Sequence, residues 1–239
     1  MTIDGFILVL AQWEFMAQGL KLTLLIAVLS IVLGSALGLI LAIMRLSPFR
    51  LIDWTARLFI DFIRSTPLLV LLLWVFFCIP ILTGLSFTPL MSGVLVLSLH
   101  SATFLGEIFR AGILSIERGQ THAALSLGMR PSQVFRRVVF PQAVARMMPP
   151  TGNIFIGLVK DSALVSTVGV MELTWKAQVI GGYTLRELEA LTVIGFVYVV
   201  ILVIPLSLMV NYVNRRMSPE YVRGRTLLGK LNTLRGKLR

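Results

Sequence analysis

Charged side chains within long apolar stretches are the first candidates for chemistry in this chain. Lys160 and Asp161 interrupt the otherwise uncharged segment 147–171. A charge inside an apolar helix is costly, and it usually faces a packed interior or an aqueous path. Adjacent helical positions point about 100° apart, so the two side chains are not expected to neutralise each other. Each needs its own partner, or the helix is broken there.

Two further charged pairs have the spacing of helical neighbours. Glu107 and Arg110 are three residues apart, and Asp61 and Arg64 repeat the pattern. Residues at this spacing share a helix face, which predicts an ion pair within each set. Such pairs could brace neighbouring helices or act as an inner gate. His100 lies mid-way along an apolar stretch, where it either lines a path or is a satisfied interior histidine.

The chain lacks the motifs of several enzyme classes. It contains no phosphate-binding GxxxxGK[ST] loop, no HExxH and no nucleophile elbow. Its single cysteine, Cys78, cannot form an internal disulfide, and the two histidines are far apart in sequence. The sequence therefore predicts no metal site, no cofactor bound by this chain and no enzymatic activity of its own.

Composition indicates an integral membrane protein. Of the 239 residues, 56% are hydrophobic and 14% are charged, against roughly a quarter charged in soluble domains. A bilayer-spanning helix needs about 20 apolar residues. The sequence predicts an all-α fold with a transmembrane domain at 20–215, whose five spans are 20–44, 57–81, 90–113, 147–171 and 188–214. Thr184 and Glu187 have capping-box spacing and predict the start of the last span.

Basic residues predict the orientation. Arginines concentrate in the loop between the first two spans, in the loop 117–146 and after the last span, whereas the other loops carry few positive charges. The positive-inside rule then places the N-terminus outside and the C-terminus in the cytoplasm. This distribution accounts for the net charge of +11 without a nucleic-acid partner. Residues 1–19 are expected to lie at the outer interface rather than to form a sixth span. The basic segment 216–239 is predicted to bind anionic inner-leaflet lipids or to be solvated.

The cytoplasmic stretch 120–142 is polar and predicts two short helices. Thr121 begins a good helix sequence that stops at Gly128, the residue type best able to adopt a left-handed cap. Pro131 can then occupy the first turn of a second helix. The apolar residues expected to be exposed on the first helix are Ala123, Ala124 and Leu127. Such a surface needs a cover, either from the protein's own helix ends or from a partner.

The spacing of this stretch resembles a known motif. From His122 the chain reads HAA, three residues, Gly128, nine residues, Val138, one residue, Phe140 and Pro141. This is similar to the EAA-x3-G-x9-I-x-LP loop in the membrane subunits of bacterial ABC importers. The stretches RSTPLL, EIFRAGILSIERGQ and GNIFIGLVKDSALVSTVGVMEL resemble the polar amino acid permeases of the histidine/glutamine/arginine type, over about residues 15–215.

The resemblance implies a set of partners. In that family the loop docks into a separate ATPase subunit that uses ATP and magnesium, a second permease subunit completes the pathway, and an extracytoplasmic binding protein delivers the substrate to a bacterial inner-membrane complex. Carried over to this chain, the docking residues are Thr121, His122, Ala123, Ala124, Leu127 and Gly128. His122 replaces the motif's glutamate, so the fixed negative charge that the motif carries at this position is absent from this chain.

A polar amino acid as substrate would offer a carboxylate and an ammonium group, for which Lys160 and Asp161 are suitable opposites; His100 could line the same pathway. Bracing of the fourth span by Lys160 and Asp161 is the alternative. Two other functions stay open from the sequence: an ion-coupled secondary transporter or channel that works alone, and a membrane scaffold that transports nothing.

Overall fold

The computed structural model describes residues 3–217, and within that range the chain is helical without strands. In chain order the α-helices are α1 (Ile3–Ala11), α2 (Trp13–Arg45), α3 (Arg50–Ser65), α4 (Leu68–Leu73), α5 (Ile79–Thr83), α6 (Pro89–Leu114), α7 (Arg118–Ser126), α8 (Pro131–Val134), α9 (Phe140–Asp161), α10 (Leu173–Thr184), α11 (Glu187–Phe196) and α12 (Ile204–Met217). Wider π-helical turns, Trp74–Cys78, Phe135–Val139 and Val197–Val203, join α4 to α5, α8 to α9 and α11 to α12, and a 3-10 turn, Ser162–Val168, follows α9.

Three described helices are long and apolar enough to cross a membrane. They are α2, α6 and the continuous helix Glu187–Asn214. Two bent pairs would raise the number to five if each forms one span. Arg50–Ser65 meets Leu68–Thr83 at 101°, and Pro131–Val168 meets Leu173–Thr184 at 52°. The fold is therefore all-helical with three to five candidate spans.

The centre of the fold is the close pairing of α2 with α6. A Cβ built on Gly38 would lie 2.9 Å from the Cβ of Leu105, and one on Gly106 would lie 3.1 Å from the Cβ of Leu41. Small residues let two helix backbones approach closely, and the gain is van der Waals contact along their length. Gly34 and Gly38 have the GxxxG spacing typical of such helix pairs.

The predicted second span, 57–81, is not one straight helix. Pro67 lacks an amide hydrogen and restricts the preceding residue, so Thr66 is extended with φ −87° and ψ 126°. Helix α3 ends at Ser65, and the chain turns sharply before α4 begins at Leu68. Residues 57–65 thus belong to an amphipathic helix that starts at Arg50.

The predicted fourth span, 147–171, is not one continuous α-helix. A break in this helix was one of the two alternatives that the charges of Lys160 and Asp161 predicted. Helix α9 begins earlier, at Phe140, and ends at Asp161. The 3-10 turn that follows stops at Gly169, whose φ of 87° is the left-handed conformation that glycine adopts without steric cost. Gly157 lies within the continuous helix α9.

Other boundaries differ in detail. The first span was predicted at 20–44, but α2 extends back to Trp13, so the N-terminal segment 1–19 includes its first turns. The capping box predicted at Thr184 is wrong. Thr184 is the last residue of α10, and its hydroxyl donates to the carbonyl of Ile180 at 2.6 Å. The third and fifth predicted spans match α6 and Glu187–Asn214. The predicted basic tail, 216–239, lies outside the described residues except for 216 and 217.

Candidate functional site

The stretch 120–142 folds as a helix, a turn and a second helix, as predicted. Helix α7 ends in a Schellman motif: the amide of Gly128 donates to Leu125 at 2.9 Å, and the amide of Met129 donates to Ala124 at 3.2 Å. Gly128 has a φ of 80°. Pro131 opens α8, where the amide of Arg130 donates to the side chain of Gln133. The turn therefore rests on the glycine and proline that the sequence singled out.

The packing within this hairpin corrects one prediction. Ala124 is only 6% exposed, because it faces the second helix, where Val134 is 2% exposed. The expectation that Ala124 belongs to the outer apolar surface is therefore wrong. His122 and Ala123 are exposed, and Leu127 is 84% exposed at the end of the helix. Thr121 is half-buried.

A glutamine pair closes the base of the hairpin. The Nε2 of Gln142 donates to the Oε1 of Gln120 at 2.7 Å and to the carbonyl of Val138 at 2.8 Å. Arg146 also donates to the carbonyl of Ser115. These contacts join the start of α7 to the start of α9 directly. No sequence pattern predicts this pair, because two glutamines 22 residues apart have no helical relationship.

Arg64 does not form the predicted ion pair with Asp61. Its Nη2 donates to the carbonyl of Thr103 at 2.6 Å, and its guanidinium lies 4.4 Å from the ring centroid of Phe104. Asp61 is exposed. The two side chains diverge because α6 supplies both a carbonyl and an aromatic face for the guanidinium. Within residues 3–217 Arg64 has no salt bridge.

His100 has interactions with Phe104, Asp161 and Arg64. His100, on α6, packs edge-on against Phe104 with ring centroids 5.2 Å apart. Asp161, at the end of α9, interacts electrostatically with His100, which also senses the charge of Arg64. Asp161 is half-buried, whereas the neighbouring Lys160 is exposed. His100 on α6 therefore lies within electrostatic range of both the Arg64 guanidinium and the Asp161 carboxylate.

A charge network ties the ends of three helices together. Glu107 and Arg110 form the predicted ion pair at 2.8 Å. Glu107 also accepts from the Nε of Arg45 at 3.0 Å, and Arg45 reaches Asp53 at the start of α3. Arg57 pairs with the same Asp53 at 2.8 Å. From the sequence, Arg45 and Arg57 are only two of the loop charges that predict the orientation. No local pattern shows that α2, α3 and α6 meet.

A buried carboxylate organises the opposite end of α2. Glu172 has no exposed surface, and it caps α10 by accepting from the amide of Trp175 at 2.9 Å. It also accepts from the hydroxyls of Thr23 at 3.2 Å and Tyr198 at 2.9 Å. Nearby, the ammonium group of Lys176 lies 3.7 Å from the ring centroid of Phe15. This cluster has the satisfied hydrogen bonds of a structural joint.

No group of three or more metal-ligand side chains occurs among the described residues. One cavity, of about 510 Å³, lies near the start of α2 and is lined by residues that include Trp13, Glu14 and Tyr183. A second, of about 290 Å³, is an apolar crevice between α2, α3 and α6. Neither of these two cavities is lined by Arg64, His100 or Asp161.

Comparison with known proteins adds independent information. The family described as "Binding-protein-dependent transport system inner membrane component" matches residues 34–219. The arginine transport system permease protein ArtQ of Bacillus subtilis (strain 168) is 35% identical over 218 residues, which cover 91% of this chain and 99% of that protein. The glutamate/aspartate import permease protein GltK of Escherichia coli O6:H1 is 36% identical, covering 85% and 94%.

Two solved transporter structures resemble the fold of this chain. A crystal structure of an amino acid ABC transporter with histidines contains a chain that is 35% identical and has a TM-score of 0.83, covering 90% of this chain and 100% of that one. The MetNI methionine ABC transporter, in an inward-facing conformation, has a TM-score of 0.61 at 22% identity, a likeness of fold alone.

Proposed function

Because the chain belongs to the family of binding-protein-dependent transport system inner membrane components, we propose that it forms the pathway by which an ATP-driven importer moves a polar amino acid into the cell. The relatives named for arginine and for glutamate/aspartate, and the structure that contains histidines, support a polar amino acid as the substrate class. The observation that carries the proposal is the folded hairpin 120–142. This chain has no nucleotide-binding loop of its own, so a hairpin that transmits the energy of ATP must contact an ATPase on another chain.

The assembly that follows has several chains. Two permease subunits, identical or closely related, enclose the pathway in a bacterial inner membrane. Two ATPase subunits dock onto Thr121, His122, Ala123, Leu127 and Gly128, and Ala124 supports this surface from beneath. An extracytoplasmic binding protein delivers the substrate at the opposite face. The N-terminus lies outside and the C-terminus in the cytoplasm.

Arg64, His100 and Asp161 are the proposed substrate contacts. Arg64 has two features of a carboxylate receptor: its guanidinium is held in place by Thr103 and Phe104, and it has no salt bridge within residues 3–217. Asp161 is the nearby carboxylate suited to the substrate's ammonium group, or to a basic side chain. Opposite charges fixed on different helices would orient a zwitterion and reject an apolar solute. Lys160, which is exposed, serves the aqueous path or the second subunit.

In this proposal, movement of the hairpins switches the pathway between its inward-facing and outward-facing forms. ATP binding draws the ATPase subunits together, which moves both hairpins inward. Helix α9 begins at the hairpin and ends at Asp161, so movement of the hairpin alters the position of Asp161 relative to Arg64. The pathway opens outward to the loaded binding protein, and ATP hydrolysis returns it to the inward-facing form.

Reconstitution tests the importer assignment. Proteoliposomes containing this chain and its ATPase should accumulate a polar amino acid only when ATP and the binding protein are supplied. Uptake by this chain alone, driven by an ion gradient, would instead assign it to the ion-coupled transporters. A complete complex that transports nothing would leave a scaffold as the function.

Substitution tests the contacts. Asp161→Asn and Arg64→Gln should each raise the KM for uptake by about tenfold or more, because each removes a charged contact in a partly dry site. Arg50→Gln is the control, since it removes an exposed charge outside the proposed substrate contacts. Equal effects of all three variants, or loss of expression without a change in substrate preference, would assign Asp161 and Arg64 to bracing.

A further inference from the structure

The outward face of α7 has a charge that the proposed function leaves unexplained. Gln120, Thr121 and Ala124 are wholly or partly covered, which places the opposite side of the helix outward. Arg118 and His122 lie one turn apart at the centre of that side, and both are exposed. No carboxylate lies on it. The helix therefore presents basic side chains where the family's motif places a glutamate.

The position of Arg118 is itself unfavourable for the isolated helix. It is the first residue of α7, where the partial positive charge of the helix terminus repels a cation. Within residues 3–217 neither Arg118 nor His122 forms an ion pair. Glu117, which precedes the helix, is the single acidic residue between 117 and 146, against five arginines. The positive potential of this face is thus not compensated within the hairpin.

The small residues around Arg118 and His122 favour a protein surface over a lipid surface. Gly119, Ala123 and Ser126 are exposed beside them, and short side chains allow a partner to approach the helix closely. The hairpin's exposed aromatic residues, Phe135 and Phe140, lie on the other arm with ring centroids 6.0 Å apart. Aromatic side chains next to arginines are the combination typical of a bilayer interface, so that arm is the better candidate for lipid contact.

We propose that the ATPase surface that receives α7 is acidic, and that its carboxylates face Arg118, His122 and the free amides at the start of the helix. The inference rests on the proposed function and adds the charge of the partner. It also explains why His122 replaces the glutamate of the motif. A glutamate at this position would face carboxylates and be repelled by them, whereas a histidine is not. Docking would then be steered by charge as well as fitted by shape.

Binding measurements with the full-length chain test the inference. The chain is held in nanodiscs of phosphatidylcholine, and the Kd for its separately purified ATPase is measured by biolayer interferometry. His122→Glu should weaken binding by about tenfold or more, because it sets like charges against each other. Arg118→Gln and His122→Gln should each weaken it by about two- to fivefold. Arg50→Gln, which removes an exposed arginine outside the hairpin, is the control and should leave the Kd unchanged.

Salt and lipid distinguish the alternatives. Raising the ionic strength from about 0.1 M to about 1 M shortens the Debye length from about 10 Å to about 3 Å, so an acidic groove predicts a weaker complex. Tighter binding of His122→Glu, or a Kd independent of salt, overturns the acidic groove while leaving the importer assignment intact. Variant effects that appear only with anionic lipid would assign the face to the membrane. Absence of any complex with the unaltered chain overturns the proposed function, and this inference with it.

Discussion

Gly38 is the position where the smallest substitution should have the clearest effect. Alanine there would place its Cβ 2.9 Å from the Cβ of Leu105, 3.1 Å from the carbonyl oxygen of Ala102 and 3.1 Å from the amide nitrogen of Gly106. Ordinary contact begins at 3.4 Å, so the first of these is 0.5 Å too short. Two of the three opposing atoms are backbone, which cannot rotate away. The helices α2 and α6 must therefore separate.

The expected cost is about 1–3 kcal/mol, the usual range for overpacking a close interface. Separation also loosens neighbouring contacts, and a gap of about 0.5–1 Å forfeits a quarter to a half of each dispersion contact. For a chain of this size the corresponding fall in Tm is roughly 2 to 12 °C. The measurement is thermal unfolding of the purified chain in detergent, followed by tryptophan fluorescence.

Gly195→Ala is the matched control, because Gly195 is helical and nothing lies within 4 Å of the Cβ it would gain. Alanine has the higher helix propensity by about 1 kcal/mol, so the control should melt at the same temperature or slightly higher. A Gly38→Ala variant that is as stable as the unaltered chain would refute the close α2–α6 packing and the helix register derived from it.

Substitutions at three further positions test the hairpin and the charge network. Gly128→Val should lower ATPase binding while insertion into the membrane continues, since a β-branched residue resists a φ of 80°; Gly128→Asn, which tolerates that conformation, should bind nearly normally. Arg45→Met should lower the Tm by less than removal of an isolated buried charge would, because Asp53 and Glu107 each keep another arginine partner. Gln142→Ala should raise the ATP hydrolysed per amino acid transported, with little change in ATPase affinity, because it disconnects α7 from α9.

Local signals in the sequence were reliable where the backbone alone decides the outcome. Gly128 ends α7 in a left-handed cap, Pro131 opens α8, and Gly169 ends the 3-10 turn. The break at Pro67 had the same kind of signal, but the surrounding apolar residues favoured an uninterrupted span. Length and hydrophobicity predict how much chain can enter a membrane, whereas proline chemistry determines where it bends.

Side-chain partners were less predictable because they depend on contacts across the fold. Helical spacing predicted the pair of Glu107 with Arg110, but it also predicted a pair for Arg64, which is instead held by α6. The sequence predicts Ala124 on the outer surface, because no local pattern shows that α7 packs against α8. The hydroxyl of Thr23 donates to the buried carboxylate of Glu172, which lies 149 residues away, and no local pattern contains such a contact.

Helix α9 connects the hairpin with the proposed substrate contacts. Its 22 residues correspond to about 33 Å, so one element reaches from the Gln142 contact to Asp161. Pro149 and Pro150 lie within it, and neither can donate the usual hydrogen bond to the preceding turn. Bending should therefore concentrate there, while the segments on either side move as rigid pieces. A displacement of the hairpin would then reach Asp161 as a tilt of the part of α9 that follows Pro150, and such a tilt would change the separation of Asp161 from Arg64.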